Sequence, residues 1–97
     1  MMTYDTLIEE FRTDYQIAPY VSDDTLTRYA KEGEGALSNL VLSVDFERDH
    51  IARSLLKNYM YYAMNHVVNE FWENYRNDVT QWQWHHEETV EDSDEEA

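Results

Sequence analysis

Histidines and closely set carboxylates are the side chains of this chain that could bind a metal or move a proton. The histidines are His50, His66, His85 and His86. His66 stands four residues before Glu70, which puts both on one helical face, but two ligands are too few for a structural metal site. His85-His86-Glu87-Glu88 offers consecutive donors, yet adjacent histidines on an extended segment point to opposite sides. The acid pairs Glu9/Glu10, Asp23/Asp24 and Glu70/Glu73 invite a general acid–base reading. They fall at helix starts or on solvated faces, with no glycine loop nearby to shape a pocket. The chain has no cysteine, and no serine stands in the context of an activated nucleophile. Gly33-Glu34-Gly35 places an acid where a phosphate-binding loop would hold its anion, which excludes a nucleotide loop. The sequence therefore reads as a non-enzyme with no metal and no cofactor.

Composition narrows the partners. The 97 residues fit one domain with a modest core. The formal charge is −14, from 21 acids against 7 bases. Seven of the acids lie in residues 87–97, so the remainder still carries 14 acids against 7 bases. Such a surface repels phosphate and speaks against direct nucleic-acid binding. It suits a basic protein partner, or a passage through which DNA slides without sticking. The absence of cysteine is compatible with a reducing compartment. The Met-Met-Thr-Tyr-Asp start lacks a basic region followed by an apolar run, so no secretory signal is expected. No apolar run approaches the ~20 residues of a membrane span, and a soluble protein is expected.

The elements that must position these residues follow from apolar spacing. Tyr4, Leu7, Ile8, Phe11 and Tyr15 form a helical stripe over residues 3–14, with Thr3 or Thr6 as cap. Pro19 marks the connector 16–21. Ser22 or Asp23 opens a second helix whose core face is Leu26, Tyr29, Ala30, Leu37, Leu40 and Val41. Gly33 and Gly35 inside it mean either a kink or close approach of another backbone, such as the next helix. Asp45 is expected to cap a third helix that runs unbroken to about Asp78. At 1.5 Å per residue such a helix spans about 50 Å, longer than its own domain.

That helix has two apolar faces. Leu56, Met60, Ala63, Val67 and Phe71 form the core stripe. Tyr61, Val68 and Trp72 lie roughly 140° away and are expected to meet another subunit. Beyond Asp78, Val79-Thr-Gln-Trp82-Gln-Trp84-His85 alternates apolar and polar residues. It is expected to be an extended docking arm, 79–86, either adding to a partner's sheet edge or folding its indoles back on the domain. Residues 87–97 are expected to be a disordered acidic tail. The fold class is all-α: two short helices and one long helix in a small bundle over residues 1–78.

Two short helices followed by a long one carrying Arg53-x-x-Leu56-x-x-Tyr59-x-x-Tyr62-x-x-Asn65, with Phe71 and Tyr75 beyond, resemble the head–tail connector (adaptor) proteins of long-tailed phages. The resemblance covers about residues 3–78. It implies a virion protein in the neck between capsid and tail, made in the host cytoplasm. Its subunits would form a ring, usually of twelve, beneath the portal protein, extending the DNA channel and offering a platform to a tail-side stopper or completion protein. DNA would pass without specific binding, and no membrane is involved. The segment after the long helix would reach toward the portal, which suits Val79, Trp82, Trp84 and His85. The Trp-His stretch and acidic tail match no motif of that family. The rival reading is a small acidic DNA mimic that inhibits a basic nucleic-acid-binding protein. A third is a generic helical adaptor.

Overall fold

The computed structural model describes residues 4–41 and 43–85. These are all-helical, with no strand among the described residues. Helix α1 is Tyr4–Tyr15, α2 Asp23–Ser38, α3 His50–Met64 and α4 Val68–Asn74. A last helix, α5, covers 76–85. The expected acidic tail, 87–97, lies outside the described residues.

The core grows from α2 on α3, the most extensive pairing, with α1 against α2 and α4 against α3. On α2 the buried positions are Leu26, Ala30, Gly33 and Leu37, spaced 4, 3 and 4. On α1 they are Leu7, Ile8 and Phe11. Ser22 caps α2, its side chain accepting from the Thr25 N–H at 3.1 Å. Gly33 is the point of closest approach. A methyl group placed there would sit 2.8 Å from Leu56 Cδ1 and 2.8 Å from Tyr59 Cδ1, while one at Gly35 would meet nothing within 4 Å. Helix α2 continues unbroken through both glycines, so close approach rather than a kink explains Gly33.

The single long helix is not what forms. Asp45 does cap a turn, accepting from the Glu47 and Arg48 N–H groups, but α3 starts later. Its cap is Asp49, whose Oδ1 accepts from Ile51 and Ala52, both at 3.1 Å. The helix then stops at Asn65. His66 takes a left-handed conformation (φ 61°), its N–H bonds the Ala63 carbonyl and the Val67 N–H bonds that of Tyr62. This is the Schellman ending, with histidine where glycine is usual. The break turns the downstream chain back. Val67 lies in this turn, half-buried, rather than on the helical stripe. A His66→Gly variant should gain about 0.5–1 kcal/mol, because glycine reaches this backbone region without side-chain strain. A urea midpoint that falls instead would contradict the left-handed turn.

Past the break, the extended 79–86 arm is also corrected: residues 79–85 belong to α5, and residue 86 lies outside the described residues. Phe71, Tyr75, Val79 and Trp82 are spaced 4, 4 and 3, so helical period carries on past Asp78. Phe71, Val79 and Trp82 are buried. The Val79 N–H donates to the Tyr75 carbonyl at 2.8 Å, joining α4 to α5.

A charged seam holds α1 to α3. Arg53 grips Glu10 with two bonds, 2.9 and 2.8 Å, and donates to the Phe46 carbonyl. Lys57 bridges Glu10 and Asp14. Hydrogen bonding from Arg53 holds the Glu10 carboxyl below its ordinary range. A lowered carboxyl pKa stabilises the fold above the unfolded value and is lost as pH falls through the folded one. Because the Glu10 side chain is 40 % exposed, solvent screening limits the effect to under about 1 kcal/mol. Glu10→Gln should therefore be slightly less stable at neutral pH and lose less stability than the natural chain on acidification below about 4.5. Parallel acid unfolding curves would contradict this.

Candidate interaction surface

Two features face outward. One is a ladder of aromatic rings where α1, α3 and α4 meet. Tyr15 lies 4.9 Å from Phe11 and stacks on Tyr61 at 5.1 Å, ring centre to ring centre. Tyr61 meets Tyr62 edge-on, and Tyr62 meets Tyr75 edge-on at 5.9 Å. The Tyr15 hydroxyl donates to Asn58 Oδ1, and Asn74 donates to the Tyr62 hydroxyl. Burial, then the neighbouring charges, pushes the Tyr15 hydroxyl up to about 12. Tyr61, in the middle of this ladder, is 41 % exposed.

The other feature is a cleft of about 520 Å³ between α3 and the α4–α5 segment. Leu55, Tyr75 and Trp82 give it an apolar floor. Ile51, Asp78, Gln81 and His85 stand at its exposed rim. The Trp82 indole N–H donates to Asp49 Oδ2 at 2.9 Å. One carboxylate thus caps α3 and seats α5. Burial first, then Tyr62 and Asp78, raises the Tyr75 hydroxyl pKa.

The expected interface and arm residues divide between these features and the core. Val68 and Trp72 are half-buried and pack on the chain's own core. Trp72 lies edge-on to Phe71 at 5.0 Å and to Tyr59 at 6.0 Å. Of the stripe, Leu56, Met60, Ala63 and Phe71 are buried. In the former arm, Val79 and Trp82 are buried, Trp84 is 68 % exposed, and His85 lines the cleft. Asp49 and Asp78 escaped the sequence reading as partners of this region. The signal for Asp49 was present, since it is a good N-cap residue two positions before Ile51, the first apolar residue of the helical run.

Tyr59 shows how α2 closes over α3. It is 5 % exposed, and its hydroxyl donates to Glu32 at 2.9 Å. Burial, reinforced by that carboxylate, pushes its pKa up to about 12. No group of three His, Cys, Asp or Glu gathers to hold a metal among the described residues. Nor is any described helix long and apolar enough to cross a membrane. Comparison with protein-family models, with characterised proteins and with solved structures finds no match.

Proposed function

We propose that this chain is a structural connector that assembles as a ring on a larger protein ring. In the form its sequence resembles, it is the head–tail connector beneath a phage portal, with twelve copies lining the DNA channel. The observation that carries this reading is exposed Tyr61 in the tyrosine ladder, because large rings left wet on a small domain mark contact surface. Tyr20, 90 % exposed, and Trp84, 68 % exposed, are further aromatic rings left wet. The charge of −14 is consistent with a channel wall that DNA does not adhere to. Neighbouring subunits in a ring make heterologous contacts, so Tyr61 of one copy would meet a different surface of the next.

Incubation with the cognate portal ring, followed by light scattering and electron microscopy, tests the reading. A second ring stacked on the portal, lost in Tyr61→Ser, is the expected result. A chain that ignores the portal but binds a basic nuclease in a salt-sensitive way would instead be an inhibitor imitating DNA, a reading its acidity also permits.

A further inference from the structure

The cleft between α3 and α5 has the chemistry of a receptor for a long basic side chain. Its floor of Leu55, Trp82 and Tyr75 is apolar, whereas Asp78 is its one lining residue with a formal charge when histidine is neutral. An apolar floor with a single carboxylate at the rim complements an aliphatic stem ending in a cation. We propose that this cleft docks an arginine-bearing segment of a basic partner protein. Arginine suits it better than lysine because a planar guanidinium lies against a tyrosine ring and still has donors for a carboxylate and an amide oxygen. Asp78 supplies the carboxylate and Gln81 an amide oxygen on the same lining, the Asn58 Oδ1 being engaged by the Tyr15 hydroxyl. The volume of about 520 Å³ exceeds one side chain, leaving room for a flanking apolar residue beside half-exposed Ile51. The chain's charge of −14 raises the local concentration of basic partners before contact.

This direction of docking reverses the one the sequence suggests. Trp82 does not reach into a partner; it floors a site that a partner side chain enters. The inference does not depend on ring assembly, and its test leaves the portal out.

The full-length chain is titrated with an acetylated, amidated Leu-Arg-Leu-Gly-Ser peptide and followed by heteronuclear NMR. A second peptide carries citrulline, the neutral isostere of arginine. Shifts should concentrate on the Trp82 indole N–H, Asp78 and Ile51, and the citrulline peptide should bind roughly fivefold more weakly. Asp78→Asn should reduce the arginine peptide to the citrulline level, and Gln81→Glu should tighten it. Equal affinity for both peptides overturns the proposal. So do shifts confined to Tyr61 or Trp84, or no shifts at all at millimolar peptide. Thermal unfolding of both variants should match the natural chain, since both positions are exposed.

Discussion

Replacing Trp82 by alanine should cost about 3–5 kcal/mol, while replacing Trp84 should stay within about 0.5 kcal/mol. The two indoles stand two residues apart and have opposite environments, 2 % against 68 % exposed. Removing Trp82 empties the space between α3 and α5 and leaves Asp49 Oδ2 without its indole donor. Loss of that magnitude is a large share of the stability of a domain this size. Urea unfolding followed by circular dichroism measures both variants. Should Trp82→Ala fail to refold, Trp82→Phe keeps an aromatic ring while losing the donor and part of the buried bulk, for which about 1–3 kcal/mol is expected. A stable Trp82→Ala together with an unfolded Trp84→Ala would invert the assignment of α5 faces. It follows that Trp84→Ala, not Trp82→Ala, is the variant to use when asking whether this helix touches a partner.

The second large effect sits at the glycine pair. Gly33→Ala should destabilise by about 1–3 kcal/mol, because its methyl group must displace Leu56 and Tyr59 from contacts of 2.8 Å. Tyr59 has little freedom to give way, being nearly fully buried and tied to Glu32. Gly35→Ala should do the opposite and stabilise by about 0.5–1 kcal/mol, since it lies in a helix with open space where its methyl would go. Opposite signs two residues apart cannot come from helix propensity, which favours alanine at both sites. If both substitutions stabilised, the close packing of α2 on α3 would be wrong.

Those glycines also show what a sequence reveals. The stripe of α1 and the Leu26, Ala30 and Leu37 positions of α2 were readable from spacing, and so were Leu56, Met60, Ala63 and Phe71 as core, because burial follows helical period. Leu40, expected on the same face, falls beyond the end of α2 and is 38 % exposed. The end of α3 was not readable in the same way. It carries no glycine or proline, and only Asn65 hinted at a cap; His66 enters the left-handed region because the surrounding contacts outweigh a modest local strain. That turn lets α4 lay Phe71 and Trp72 against Tyr59, so part of what looked like excess apolar surface is covered from within the chain. The strand-like alternation at Trp82 and Trp84 misled for a different reason. One indole is structural and the other exposed, so two tryptophans did not share a face. The outer surface was less legible still, since the cleft gathers residues of α3, α4's end and α5 that no local pattern links.

Asp49 has a consequence for how motion spreads. Its two oxygens serve elements separated by 33 positions: one holds the first amides of α3, the other the indole of α5. If α5 lifts, the carboxylate loses an anchor, and the opening turn of α3 loosens with it. The Ile51 and Ala52 amides thus become reporters of α5. In hydrogen exchange their protection should rise when the cleft is filled and fall in Trp82→Phe, although neither amide is altered by that substitution. A single side chain makes the start of α3 and the body of α5 a cooperative unit.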